Sequence, residues 1–416
     1  MLVKYLQVSF VLVILPKKWT PRQIILRMIN MDKKQRIGRY IKIPSGYESY
    51  KAYLPTLLPP KPSVCMDGLC LLVDQANTAI GRLDGMSVVL PDHKLFLYMY
   101  VRKEAILSSQ IEGTQSSLSD LLLYENEEAP AVHLNDVMEV SSYISAMEYG
   151  LQRVQEFPLS LRLLKEIHSH LLSNSRGGNK QPGEFRTSQN WIGGSRPGTA
   201  IFVPPPPDYI MEYLDNFEKF LHDKKTCLPV LIKIAIAHVQ FETIHPFLDG
   251  NGRLGRLLIT FMLCAEGFLK QPLLYLSLYL KANRNEYYDR LQAVRETGDW
   301  EGWIAFFLKG VIETSEQATK TAQAILTLFD KDRKTIEQSG KSTASVLAIY
   351  AYLQRHPITN TNKLREETEL SLPTILRALG VLERLKIIVE VTGKERNKRF
   401  VYGQYFEILK QGTELH

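Results

Sequence analysis

His245-Pro-Phe-Leu-Asp-Gly-Asn-Gly-Arg-Leu-Gly-Arg256 separates two strongly apolar runs, Leu228–Thr243 and Gly252–Gly267. Both runs have the length and spacing of buried helices. Pro246 breaks the first, and Asp249-Gly-Asn-Gly252 reads as a turn. The second helix therefore opens on a glycine-rich approach whose free backbone amides make an anion site. Arg253 and Arg256, three residues apart, share one face of its first turns. Two guanidinium groups above an amide-lined nest suit a polyphosphate better than a single carboxylate. Asp249 is placed to hold a divalent cation, since Mg²⁺ takes one or two carboxylates together with phosphate oxygens. His245 sits at the mouth of the nest, where an imidazole can take a proton from an attacking hydroxyl. Taken singly, each feature has an ordinary structural explanation. Together, within twelve residues, they describe transfer of a phosphorus-centred group, with the protein supplying position and charge.

Upstream, apolar residues at helical spacing predict helices over Leu69–Leu83, His93–Glu112, Ser116–Glu128, Leu134–Glu156 and Leu161–Ser173, the last closed by Ser175-Arg-Gly-Gly178. Between Gly183 and Val203, Gly and Pro residues separate two short β-prone runs, which predicts a hairpin ended by Pro204–Pro207. Helices resume over Asp208–Asp223, Arg284–Thr297 and Trp300–Thr321, so the body from 64 to 335 is nearly all helical. Residues 31–62 are basic and rich in Pro and Tyr, and read as an extended arm. The polar stretch Asp330–Lys341 reads as a linker. Beyond it, helices Ser345–Arg355, Thr361–Glu367 and Ser371–Leu385 precede a basic hairpin, Ile387–Tyr402, in the outline of a winged helix-turn-helix. Residues 341–416 carry 12 Lys or Arg against 8 Asp or Glu, hence +4 of the chain's +7. That balance favours a polyanion, with Arg377, Lys394, Arg396, Lys398 and Arg399 placed to meet DNA phosphates; a dimerisation or packing module is the alternative reading, since the recognition helix holds few base-reading side chains.

At 416 residues, two or three folding units are expected, and 45% apolar with 23% charged residues is the profile of a globular rather than a disordered chain. Cys65, Cys70, Cys227 and Cys264 form no disulfide framework and no paired metal-ligand spacing, so all four read as reduced, mostly structural thiols in a cytoplasmic protein. The apolar run Tyr5–Leu15 is too short to span a bilayer, which takes about 20 residues, and no small-residue cleavage site follows it. Residues 1–30 read as an upstream extension outside the fold, with Met28 or Met31 the more natural start. No membrane partner is expected, and a homodimer is left open.

The central stretch resembles the Fic family motif, His-Pro-Phe-any-Asp/Glu-Gly-Asn-Gly-Arg-any-any-Arg, at every fixed position. The resemblance extends to Leu161–Ser173, to Pro182-Gly-Glu-Phe-Arg186, to Trp191-Ile-Gly-Gly194 with Phe202-Val-Pro-Pro205, to Gln240-Phe-Glu242 and to Tyr287-Tyr288, spanning roughly residues 60–320. It implies a mainly α fold: a Fic-type helical bundle with a β-hairpin flap, plus the C-terminal winged unit. The implied division is a 31–115 arm with an inhibitory helix region, a 116–335 catalytic core and a 341–416 winged domain. The implied activity is transfer of AMP from ATP, with Mg²⁺, to hydroxyl side chains of target proteins and of the chain itself. His245 is then the general base and Asp249 the Mg²⁺ ligand. Gly250, Asn251 and Gly252 form the anion hole, and Arg253 and Arg256 grip the phosphates. Gln240, Tyr287 and Tyr288 line the nucleoside pocket, whereas His168, His170 and His238 are taken as structural. Ile192, Gly193 and Gly194 lie on the flap that docks targets by β-strand addition. Ser108-Ser-Gln-Ile-Glu112-Gly113 fits the family's inhibitory pattern, which implies that Glu112 pairs with Arg256 and seats ATP unproductively. As a bare sequence it is a helix end capped by Gly113.

Rival readings keep the fold but change the chemistry. A kinase of the death-on-curing type departs from the Asn-Gly-Arg and second-arginine pattern that this chain retains. Transfer of UMP or phosphocholine is compatible with a motif that reads phosphates more than bases. A transcriptional regulator using the same body as a sensor draws on the winged unit.

Overall fold

Helix α7 (Val230–Ile244) has no polar face: every residue from Leu231 to Ile244 is buried. A helix buried on every side runs through the middle of a core, its polar residues Lys233, His238, Gln240, Glu242 and Thr243 included, and the remaining helices are arranged around it. The computed structural model describes residues 33–45, 48–89, 93–125, 132–173, 180–340, 343–393 and 398–414. Within these, α1 (Cys70–Val89), α2 (His93–Ile111), α3 (Leu118–Glu125), α4 (Leu134–Glu156) and α5 (Leu161–Leu172) precede the core helix. α6 (Pro207–Leu221), α8 (Asn251–Ala265), α9 (Ser277–Ala282), α10 (Arg284–Thr297) and α11 (Trp300–Gln338) complete the bundle. α6, α8 and α11 pack directly on α7, while α4 and α5 pack on each other and on α8. Trp303 of α11 donates its indole N–H to Ala235 O at 2.8 Å, so even this buried donor is satisfied. The upstream extension expected at 1–30, the Ser175–Gly178 helix stop and most of the basic hairpin tip lie outside the described residues.

Three local readings change. The 31–62 arm is a β-hairpin: β1 (Arg39–Ser45) pairs antiparallel with β2 (Glu48–Leu54), Arg39 opposite Leu54. Its Tyr- and Ile-containing alternation suits strands, and the Tyr53 amide continues the pairing by donating to Val203 O. The predicted 183–203 hairpin, in contrast, shrinks to a single bridge, Ile192 with Phe202. Gly193 and Gly194 take φ of 69° and 73°, and Pro197–Thr199 coils into a 3-10 turn, leaving too few extended residues for a ladder.

The third change is the linker, which does not exist as one. α11 runs without a break for 39 residues, through Asp330 to Gln338. Its end is polar because only one face is covered. Ile336 is buried, Asp332 accepts from Tyr402 Oη at 2.7 Å, and Arg333 pairs with Glu337 one turn on. The C-terminal unit that covers this face comprises α12 (Ala344–Arg355), β3 (Ile358–Asn360), α13 (Thr361–Thr368), α14 (Leu372–Arg384), β4 (Val389–Glu390) and β5 (Arg399–Val401), and ends in α15 (Gly403–Lys410). The three helices and the hairpin fall where expected. β3, which makes the sheet three-stranded in the order β3-β5-β4, and α15, which packs on α11 and α2, were not anticipated.

The continuity of α11 is testable at exposed Lys334. In a helix interior, Lys334→Pro removes a hydrogen bond and clashes with the preceding turn, so unfolding free energy should drop by about 3 kcal/mol in denaturant titration. A flexible linker would tolerate the change at a cost below about 0.5 kcal/mol.

Candidate active site

α7 ends at His245, which adopts the left-handed region (φ 50°, ψ 59°) while its amide closes the last turn on Phe241 O at 2.9 Å. Its carbonyl and its neighbours' carbonyls point into protein rather than water, and each needs a donor. Segment 186–190 supplies them. Arg186 donates from Nε to His245 O at 2.9 Å, from Nη2 to Ile244 O at 3.4 Å and from its backbone amide to Pro246 O at 2.9 Å. Asn190 Nδ2 reaches Phe247 O at 2.8 Å and His245 O at 3.4 Å. The loop also closes on itself, because the Asn251 side chain accepts from the Phe247 amide and donates to the Phe247 carbonyl. His168, read as structural, holds the next stretch. Gly183 N donates to its Nδ1 at 2.9 Å, so Nε2 carries the proton and donates to Asp249 O at 2.9 Å. Its ring stacks 3.8 Å from that of Phe247.

Gly250 (φ 74°) begins α8, and no side chain caps that helix's first turn. Its amide end is therefore available to an anion. In this structure the anion is internal. α2 stops at Ile111, Gly113 takes φ of 99° as the cap expected of it, and the turn aims Glu112 at α8. A Cβ on Gly252 would meet Glu112 Oε1 at 2.3 Å, which puts the carboxylate directly over the nest. Arg256 Nη2 donates to Glu112 Oε1 at 2.8 Å and to Ser108 O at 2.9 Å, and Arg256 Nε to Ser108 Oγ at 2.8 Å. Burial pushes the Glu112 carboxyl up, but the Arg256 guanidinium outweighs it and holds the group below the usual carboxylate range. Ser108 and Glu112 thus both bond Arg256, the pairing that the resemblance implied for Glu112, and Gly113 supplies the turn between α2 and the next segment.

Arg253 is also engaged. Its Nη1 lies 2.8 Å from Glu139 Oε1 on α4, and Glu139 in turn accepts from Thr114 Oγ1 at 3.2 Å. Nothing near Glu139 in sequence signals this contact, which only the α4–α8 packing creates. Asp249 stays half-exposed at the mouth, with Oδ1 accepting from Gly250 N at 2.6 Å. The His245 imidazole is pushed down to about 3, first by burial and then by the charges of Arg186 and Arg295, so it is neutral at physiological pH. A neutral imidazole is the form that can accept a proton.

Two residues expected in the nucleoside pocket already have partners within the protein. Gln240 is buried and donates to Thr56 O at 3.1 Å, fastening the N-terminal hairpin to α7. Tyr287 is buried against His238. Since His238 Nδ1 donates to Gly255 O, its Nε2 must accept, and Tyr287 Oη donates to it at 2.8 Å. Tyr288 alone remains partly exposed, with the Arg284 guanidinium 5.5 Å from its ring centroid. On the flap, the amide and carbonyl of Ile192 are both taken by the 201–202 strand, and β2 covers the far side of Val203. The edge left uncovered runs along Trp191–Gly194, with Ile201 exposed beside it. Among the described residues no group of three or more His, Cys, Asp or Glu converges to hold a metal, and no helix is long and apolar enough to cross a membrane. The four cysteines are free, but Cys65, Cys70 and Cys227 are exposed rather than buried as expected of structural thiols.

Two family models match the chain: Fic/DOC family N-terminal over residues 70–152 and Fic/DOC family over residues 158–263. The Protein adenylyltransferase Fic of Aedes aegypti is 30% identical over 299 residues, covering 65% of this chain and 55% of its own length. The Protein adenylyltransferase fic-1 of Caenorhabditis elegans is 29% identical over 220 residues, 51% of this chain and 39% of its own. A probable protein adenylyltransferase of Aquifex aeolicus is 29% identical over 201 residues, 48% and 58% of the two chains. The chain spans about half the length of the curated relatives it matches. Among solved structures, a Fic family protein from Desulfovibrio desulfuricans superposes with a TM-score of 0.53 at 19% identity, covering 82% of this chain and 97% of that one, a likeness of fold.

The bond from Tyr287 to His238 predicts that Tyr287→Phe lowers stability by about 1–3 kcal/mol, because His238 Nε2 loses its donor. ATP affinity measured by calorimetry should stay within about twofold, whereas a nucleoside-contacting tyrosine would lose affinity on the scale of a hydrogen bond, about 1 kcal/mol. His238 also sets a pH dependence. Burial pushes its imidazole down to about 3, below an unfolded value of about 6.5, so the unfolded chain takes up the proton first. Its contribution to stability is present above about pH 6.5 and is lost as pH falls toward 3, by up to about 1.4 kcal/mol per pH unit. Urea midpoints should therefore decline below neutrality in the native chain and decline less steeply in His238→Gln.

Proposed function

We propose that this chain, which belongs to the Fic/DOC family, is a protein adenylyltransferase held in check by its own Glu112. The observation that carries the reading is the Glu112 carboxylate seated over Gly252 and bonded to Arg256. A helix N-terminus with two buried arginines is built for phosphate oxyanions, and a carboxylate satisfies the same donors when none is bound. The names of the curated relatives support AMP as the transferred group.

In the proposed reaction, a target hydroxyl oxygen attacks the α-phosphorus of ATP. The new O–P bond forms as the bond to the bridging oxygen breaks, and pyrophosphate leaves. Neutral His245 accepts the hydroxyl proton. Arg256 and Arg253 turn from their carboxylate partners to the phosphates, and the amides around Gly250, Asn251 and Gly252 stabilise the developing charge. Asp249 fits a Mg²⁺ site: it is the one carboxylate at the mouth, half-exposed, with its Oδ2 turned to no partner among the described residues. Mg²⁺ held there would supply charge neutralisation to bridging phosphate oxygens. The target segment adds as a strand to the Trp191–Gly194 edge, which brings its side chain toward His245. With Glu112 on Arg256 the γ-phosphate is denied that guanidinium, and the α-phosphate is not in line. A second role, binding of DNA by the basic 341–416 unit, rests on its charge and its helix–hairpin order. The four free thiols favour a cytoplasmic location.

Auto-modification with labelled ATP, with adducts identified by mass spectrometry, tests this reading. Glu112→Gly should raise AMP incorporation by about 10²-fold, the scale set by a misplacement of about 1 Å. His245→Ala in the same background should abolish transfer while ATP binding survives. Arg256→Ala should lower it with or without Glu112. Equal labelling of native and Glu112→Gly chains would sink the inhibitory assignment, and adducts of phosphate mass, or of UMP mass in preference to AMP when UTP is supplied beside ATP, would replace AMP as the group.

A further inference from the structure

The four carbonyls that follow the core of α7, those of Ile244, His245, Pro246 and Phe247, are all bound by donors from residues 186–190. This is an unusual concentration. A buried helix end normally spreads its unsatisfied acceptors over water, caps and turns. Here one short segment takes the whole row, and the same segment is fastened to the flap. Arg186 Nη2 donates to Pro205 O at 2.5 Å and Gln189 Nε2 to Pro204 O at 3.1 Å, while Arg186 Nη1 closes the segment on itself at Ser188 O, 3.2 Å away. Arg186 is 2% exposed, and among the described residues every hydrogen bond of its guanidinium goes to a backbone carbonyl rather than to a carboxylate. Its positive charge is balanced by the negative end of the α7 dipole. A guanidinium suits this task because its donors lie in one rigid plane and can bridge two strands of carbonyls at once.

We propose that Arg186 and Asn190 are positioning residues that lock His245 to the flap, so that base and docked target share one rigid frame. The inference rests on the reading of His245 as the general base. A target strand laid on Trp191–Gly194 is held by the flap, and the imidazole that must reach its hydroxyl is held by α7. The two belong to separate elements, and each approaches the α-phosphorus from its own side. The 186–190 segment touches both directly, bonding the carbonyls that follow α7 and those of Pro204 and Pro205 where the flap ends. If it loosens, the nucleotide still binds, because the nest, Arg253 and Arg256 lie on α8. The distance from base to hydroxyl, however, is no longer set. Loss of this segment's grip therefore strikes the chemical step and leaves nucleotide affinity alone.

The test uses the full chain in the Glu112→Gly background. Arg186→Lys keeps the charge but loses the planar fork, and Asn190→Ala removes the bonds to His245 O and Phe247 O from a half-buried side chain that the core does not need. Arg186→Lys should lower kcat for AMP transfer by about 10²-fold and Asn190→Ala by about 10-fold, the cost of misplacing a reacting group by up to about 1 Å. The dissociation constant for ATP should stay within twofold in both. Hydrogen exchange, read on the same proteins, should speed up at the amides of residues 247–250 and remain unchanged at the far end of α8. Two results overturn the proposal: kcat within twofold of the parent in both variants, or loss of ATP binding in step with kcat, which marks general disruption. If the parent itself transfers no AMP, the reading of the reaction has failed, and exchange alone decides the strap: unchanged protection at 247–250 in Asn190→Ala sinks it.

Discussion

A helix with no polar face must stop somewhere, and where α7 stops its carbonyls are still inside the protein. The chain meets this with a left-handed residue at His245 and a loop in which almost every carbonyl has an internal partner. The same constraint explains why so much else converges on residues 244–251. The segment after α5, the flap, His168 and the start of α8 are all brought there by the need to satisfy those groups. A site built as the solution to a hydrogen-bonding problem is rigid before any ligand arrives, which is what positional catalysis needs.

The charges around it follow a second rule: buried ions are kept only when something neutralises them. Arg256 has Glu112, Arg253 has Glu139, and Arg186 has a helix end. The two ion pairs differ in kind. Glu139 is buried on α4, part of the scaffold, whereas about a third of the Glu112 side chain is exposed, in the turn that follows α2. A nucleotide that seeks both arginines therefore contends with one fixed carboxylate and one that can swing away.

How much of this could be read in advance depended on range. The loop from His245 to Arg256 and the Ser108–Gly113 turn are local signals, in which Pro, Gly and charged residues at set spacings dictate both backbone and chemistry. Their geometry came out as read. The helices of the body were legible because amphipathic or wholly apolar periods survive in the chain, and α4 and α10 begin and end where their patterns do. What was missed is what needs a partner from elsewhere. Glu139 has no motif, Arg186 has no task that the sequence assigns, and the bonds of Gln240 to Thr56 and of Tyr287 to His238 are made across distant segments. The polar end of α11 was mistaken for a linker for the same reason: its apolar partners, Tyr402 and Tyr405, come some 70 residues later. The flap failed in the opposite direction, since its β-prone residues are real but its glycines spend the backbone on turns.

The unbroken α11 gives the molecule a fixed internal ruler. At 1.5 Å per residue, its 39 residues extend about 58 Å. One end is planted beside α7 by Trp300 and Trp303, and the other carries Phe329 and Asp332 against the aromatic face of the C-terminal unit. A tethered module explores a sphere around its anchor, and whatever it grips is presented at an averaged concentration. A module mounted on a strut presents its cargo at one bearing and one range. For this chain, anything held by residues 341–416 stands at a set offset from the His245 loop, so geometry rather than proximity decides which part of it the loop can meet.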